Sequence, residues 1–152
     1  MNSTDDIDPS ILEELVEIVN ETLDALVETS VTTGPLPPVA GHDGLVIEAT
    51  VPIVGDVSAE LTLRVPAATA VALTAVMMDT APHTLTTNDG CDTMSELINL
   101  FGGSAKFLID DETALDIPRS RIISAPDLEE LAHSTLLTHD LGVFELQLRM
   151  LP

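Results

Sequence analysis

Tryptophan and tyrosine are absent from this chain, and its only aromatic residues are three phenylalanines. Without indole or phenol rings it lacks the usual stacking platforms for bases and sugars. Basic residues are also scarce: five, against 26 acidic ones, for a formal net charge of -21. The only lysine is Lys106. So negative a surface repels phosphate backbones and anionic lipid, which argues against nucleic-acid and membrane partners and for a basic patch on a protein partner. The same acid-rich, lysine-poor composition is tolerated where a salty cytoplasm screens charge. A single cysteine, Cys91, leaves no internal disulfide to form. No apolar run approaches the ~20 residues needed to cross a bilayer. The opening residues, Met1 to Asp6, carry neither the basic region nor the apolar stretch of a signal peptide. The expected location is the cytoplasm.

What is present suits one domain: 152 residues, 45% of them hydrophobic, with a core that must be aliphatic. Residues 1–8 are polar and expected to be disordered, leaving 9–152 as the single domain. Asp8-Pro9-Ser10 signals a helix start, with Glu13 three residues beyond Ser10 as in a capping box. Leu12, Leu15, Val16, Val19, Leu23, Leu26 and Val27 recur at steps of three and four, which predicts an amphipathic helix ending near Ser30. A loop with Gly34, Pro35, Pro37 and Pro38 follows. Residues 44–54 and 57–65 predict a hairpin turning at Gly55-Asp56. Pro66 is expected as the first residue of a largely buried helix running to Met78. Asn88-Asp89-Gly90 reads as a break before a long helix from Asp92 to Ile109. Residues 110–118 read as an acidic loop, 119–124 as a strand and 127–132 as a helical turn. A last hairpin over 133–139 and 142–150 turns at Asp140-Leu141-Gly142. In it Phe144, Leu146, Leu148 and Met150 alternate, with 142–150 a plausible sheet edge. The fold class is α+β: long amphipathic helices packed on an antiparallel-rich sheet.

The informative segment is 92–106. Met94, Leu97, Ile98, Phe101, Ala105 and Leu108 form an apolar stripe. Asp92, Glu96, Asn99, Gly103 and Lys106 form a second stripe at steps of four, three, four and three. At ~100° per residue Asn99 lies about 160° from Phe101, so the second stripe faces away from the core. Amphipathic helices carry polar residues outside as a rule, and Glu three before Asn recurs by chance. Two features go beyond that. Asn is a mediocre helix former, and each glycine of the Gly102-Gly103 pair costs about 1 kcal/mol relative to alanine inside a helix. Such a cost suggests that something approaches the backbone closely there.

Asp92-x-x-x-Glu96-x-x-Asn99, followed by Gly102-Gly103-x-Ala105-Lys106, resembles the active-site signature of the CheC/CheX/FliY phosphatases. The order of elements over residues 10–150 is similar too, and a single strong copy of the motif favours a CheX-like member. The resemblance implies an enzyme that hydrolyses the aspartyl phosphate of a phosphorylated CheY-type receiver domain in chemotaxis signalling. It implies a homodimer paired through the sheet, and no cofactor of its own, since the receiver supplies Mg²⁺ and a lysine. Asn99 would orient the attacking water, and Glu96 would pair with the receiver's lysine. Asp92 would reinforce that pairing or serve only as a negative charge near the helix start. Gly102 and Gly103 would form the small-residue approach for the partner, with Gly103 admitting its backbone. One departure is the proline after the motif: Pro118 follows Asn99 with eighteen residues between them, about four fewer than the family pattern places there. The alternative reading is a receiver-binding or motor-associated module that grips without hydrolysing.

A weaker stripe, Glu13, Glu17, Asn20 and Asp24, repeats the spacing on the first helix, so Glu17 and Asn20 could mark a second site. Against this, Asp24 stands where Gly103 stands in the strong copy. No metal site is expected. His42, His83, His133 and His139 lack ligand spacing, and Asp110-Asp111-Glu112 reads as a solvated loop. Cys91 has no context for a nucleophile and reads as a small buried residue.

Overall fold

The computed structural model describes residues 8–28, 44–110, 112–132, 134–139 and 142–151. Three helices, α1 (Pro9–Glu28), α2 (Ala67–Met78) and α3 (Thr87–Ile109), pack on one face of an antiparallel sheet. The sheet is built from β1 (Leu45–Val54), β2 (Ala59–Pro66), β3 (Ala114–Leu115), β4 (Arg119–Ser124), β5 (Thr135–His139) and β6 (Gly142–Met150). Its order is β3-β1-β2-β6-β5, with β4 also paired to β1. This is the expected α+β class, with long amphipathic helices on an antiparallel sheet.

Alternation explains the layering. On β1 Ile47, Ala49, Val51 and Ile53 are fully buried beneath the helices, as are Leu61, Leu63 and Val65 of β2 and Phe144 and Leu146 of β6. From above, α1 adds Leu15, Val19 and Leu23, and α3 adds Met94, Leu97, Ile98, Phe101 and Ala105. The apolar α2 is buried over most of Ala67 to Ala75, while Met77 and Met78 at its end are exposed. Its Thr74 hydroxyl lies 2.8 Å from that of Thr93, a buried bridge between α2 and α3.

The opposite face of the sheet is polar and holds the arginines Arg64, Arg121 and Arg149. Glu48 on β1 accepts from Arg64 Nε on β2 at 2.7 Å and from Arg121 Nε on β4 at 2.9 Å. Arg149 pairs with Glu60 at 3.0 Å. Burial pushes the Glu48 carboxyl up, but the hydrogen bonds from the two arginines outweigh it and hold the group below its ordinary range. The chain after β4 crosses this face: Arg64 donates to the Glu129 carbonyl and Gln147 to that of Ala132.

Several local expectations are corrected. The cap of α1 is Asp8, whose carboxylate accepts from the Ser10 backbone N–H at 3.0 Å, so Pro9 takes the first helical position and no Ser10–Glu13 box is needed. Pro66 has ψ 138°, so it ends β2 and caps α2 without being its first residue. Asn88-Asp89-Gly90 is no break. Thr86 accepts from the Asp89 backbone N–H while the Asp89 carboxylate accepts from that of Thr86, a closed capping box that starts α3 at Thr87. The loop over 110–118 contains the short strand β3, paired with Ile53 and Val54. The turn expected over 127–132 lies earlier, at Ala125–Asp127. Finally, β6 is no edge, because it pairs with β2 on one side and β5 on the other. Residues 1–7, the proline loop, His42, Asp111, His133 and the turn residues Asp140 and Leu141 lie outside the described residues.

Candidate functional site

Helix α3 runs over the sheet with one arc sealed and the other open. Its sealed arc is held by close backbone approach as well as by side chains. At Gly90 an added Cβ would lie 3.1 Å from Ile47 Cδ1 and 3.2 Å from Ala70 Cβ. At Gly102 it would lie 2.7 Å from Val51 Cγ1 and 3.3 Å from Leu115 Cδ2. Gly102, expected at the partner face, is therefore buried and serves helix–sheet packing. Its position 40° from Ile98 on the helical wheel is the physical reason. Gly103 differs: nothing lies within 4 Å of an added Cβ, so the backbone there is open to approach from outside.

The open arc carries Asp92, Glu96 and Asn99, all exposed, with Gly103 and Lys106 half-buried along the same line. Successive members are separated by about 4.5–6 Å along the axis, so Glu96 and Asn99 stand one turn apart on one surface. Among the described residues neither side chain is engaged in a hydrogen bond or ion pair, which leaves a carboxylate and a carboxamide presented to a partner. Asp92 sits five residues beyond Thr87. The helix start is already capped by Thr86 and Asp89, so Asp92 has no capping task and belongs to the open stripe. Lys106 Nζ lies over the Phe107 ring, 5.6 Å from its centroid.

Other sequence candidates fall elsewhere. Cys91 is buried, and burial pushes its thiol up despite a hydrogen bond with Ser120, the opposite of what a nucleophile requires. The Asp110 carboxylate accepts from the Glu112 backbone N–H at 3.0 Å within its own turn. On α1, Glu13, Glu17 and Asp24 are exposed and Asn20 is half-buried. Sequence reasoning passed over Leu100 and Phe107, which are 54% and 72% exposed on the open arc. The helical period that placed Asn99 outside places them there too.

No curated protein sequence matches the chain. Among solved structures it is similar to a CheC-like superfamily protein from Shewanella sp. PV-4, at 16% identity and TM-score 0.68, covering 96% of this chain and 100% of that one. It is also similar to chemotaxis protein CheX from Vibrio vulnificus, at 14% identity and TM-score 0.60, covering 99% of each. A third similarity is to a chain of the CheX–CheY–BeF3–Mg²⁺ complex from Borrelia burgdorferi, at 11% identity and TM-score 0.56, covering 90% of this chain and 97% of that one. At such identities the likeness is one of fold. The model of the chemotaxis phosphatase CheX family matches residues 47–138, a span that contains all of α3 and its open stripe. The chain belongs to the CheX family of chemotaxis phosphatases.

Proposed function

We propose that this protein hydrolyses the aspartyl phosphate of a phosphorylated CheY-type receiver domain, with Asn99 and Glu96 as its catalytic pair. The observation that carries the reading is the stripe of exposed Asp92, Glu96 and Asn99 leading to the unobstructed Gly103, on a helix whose other arc is packed shut, in a chain of the CheX family. Hydrolysis of an acyl phosphate requires a water in line with the breaking P–O bond and neutralisation of the phosphoryl oxygens, so positioning and electrostatics supply most of the rate. The Asn99 carboxamide both donates and accepts, and it brings no negative charge to the phosphoryl group. Glu96, one turn away, pairs with the receiver's lysine and fixes the docking register, and Asp92 extends that acidic contact. Gly103 lets the partner's backbone come close. Mg²⁺ comes with the receiver, a reading supported by the similarity to a chain solved with CheY, BeF3 and Mg²⁺. On this reading the protein acts in the cytoplasm and has no metal of its own.

The test is turnover. Substoichiometric protein accelerates phosphate loss from a phosphorylated CheY-type receiver, and Asn99→Ala removes the acceleration while retaining the fold. Binding without turnover in the wild type would instead establish the non-catalytic module. The stripe on α1 is a second, weaker candidate through Glu17 and Asn20. The exposed Asp24 stands where α3 has the open Gly103, so a phosphorylated partner meets a negative side chain there. Asn20→Ala therefore leaves turnover intact, and loss of about half the activity would establish two sites. A homodimer paired through the sheet is also proposed. With β6 interior, the available edges are β5 on one side and β3 and β4 on the other. Light scattering at tens of micromolar, repeated at low salt where repulsion between -21 chains is least screened, decides it.

A further inference from the structure

Of the three phenylalanines, Phe101 and Phe144 are fully buried, and Phe107 is 72% exposed. Leu100, seven residues earlier on the same helix, is 54% exposed. Seven residues bring the helix round to within about 20°, so the two side chains share one line, about 10 Å apart along the axis. That line lies about 20–40° from Glu96 and about 40–60° from Gly103, directly beside the open stripe. Singly exposed apolar residues are ordinary on soluble proteins. This pair differs because it is continuous with a polar site and adds nothing to the sealed arc, which Met94, Leu97, Ile98, Phe101 and Ala105 already fill. The only lysine of a chain carrying 26 acidic residues is placed here as well, with Lys106 Nζ over the Phe107 ring. Along the stripe charge therefore runs from negative at Asp92 and Glu96 to positive at Lys106.

We infer that Leu100 and Phe107, with Lys106, form the apolar anchor by which α3 grips the receiver domain beside its phosphorylation site. This rests on the phosphatase reading above and extends it from the reacting residues to the surface that determines which receiver is held. The polarity of the helix states what the partner presents. A cation meets Glu96 and Asp92, and an apolar side chain with a carboxylate beside it meets Phe107 and Lys106. Exposed apolar side chains flanking polar contacts exclude water from them and supply much of the affinity at small interfaces. A ring already stacked by a lysine presents its other face without reordering the cation.

The experiment measures binding of a CheY-type receiver from the same genome, activated with beryllofluoride and Mg²⁺, to wild type, Leu100→Ser, Phe107→Ser, Phe107→Leu and Asn99→Ala. Each serine variant is expected to weaken binding about tenfold and to raise KM by the same factor, with the loss confined to KM. Phe107→Leu retains most of the affinity, and Asn99→Ala retains binding while losing turnover. Both serine variants alter exposed positions, and unchanged thermal melts confirm that they fold. Wild-type affinity in both serine variants overturns the anchor and leaves the catalytic assignment standing. Failure of the wild type to bind any receiver of its genome overturns both. A wild-type dimer in light scattering that Phe107→Ser converts to monomer, with receiver binding unchanged, assigns the patch to a second copy of this chain and also overturns the inference.

Discussion

A Cβ added to Gly102 would lie 2.7 Å from Cγ1 of Val51, whereas one residue on, at Gly103, it would touch nothing within 4 Å. Two adjacent glycines thus do opposite work. The first lets α3 settle on β1, and the second leaves a gap on the outer surface.

Substitution separates them. Gly102→Ala forces the stiff, β-branched Val51 or the helix itself to move, and overpacking of this kind costs about 1–3 kcal/mol, offset by up to about 1 kcal/mol of helix propensity. The variant should melt several degrees lower. Gly103→Ala should leave stability unchanged or raise it by up to about 1 kcal/mol, while weakening receiver binding. Equal melting temperatures for the two variants would refute the distinction.

Glu96→Ala should behave unlike Asn99→Ala. Both side chains are exposed, so each truncation should change stability by no more than about 0.5 kcal/mol. Asn99→Ala should remove the chemical step and leave binding. Glu96→Ala should weaken docking, and its defect should shrink as salt rises, because added salt screens the ion pair that only the wild type makes. Titrations of receiver binding at two ionic strengths check this.

The start of α3 depends on Thr86 and Asp89. Thr86→Ala removes the acceptor for the Asp89 backbone N–H and should cost about 1 kcal/mol. Because Thr86 is exposed and lies ten residues, about 15 Å along the axis, before Glu96, receiver binding should be unaffected at temperatures below the melt. Denaturant titration gives the first number and a binding isotherm the second.

Glu48 provides the pH test. Its carboxyl is held below the ordinary value of 4.5, so the stability it contributes is present above that pH and is lost as pH falls through the depressed folded value. Glu48→Gln should destabilise the protein by roughly 3 kcal/mol at neutral pH, since Arg64 is buried and loses its close partner. The gap between variant and wild type should narrow as pH is lowered below about 4.5. A gap independent of pH would show that the carboxylate charge contributes nothing.

Legibility in the sequence followed the range of the interactions. The apolar stripe of α3 from Met94 to Ala105, and the outward placement of Glu96 and Asn99, depend only on the helical period and were readable. So were both strands of the first hairpin, which are rich in Val, Leu, Ile and Thr on either side of Gly55-Asp56. Asn88-Asp89-Gly90 misled because those residue types favour turns, whereas here Asp89 closes a cap with Thr86 and Gly90 makes room for Ile47 and Ala70. The interior position of β6 was not readable, because strand order depends on contacts between distant segments. The CheX-like motif named the candidate pair, but only packing against Val51 separated the roles of Gly102 and Gly103.

The two glycines on the sealed arc, Gly90 and Gly102, are twelve residues apart, about 18 Å along the axis. Each marks a point where α3 comes down onto the layer beneath it, one at Ile47 and Ala70, the other at Val51 and Leu115. Glu96 and Asn99 stand between these two bearings. A helix seated at two points neither tilts nor slides readily. The backbone of Asn99 is therefore held in place, while its exposed side chain remains free to change rotamer. A larger side chain at one bearing would lift that end of α3 and tilt the face that carries Glu96 and Asn99 about the other bearing.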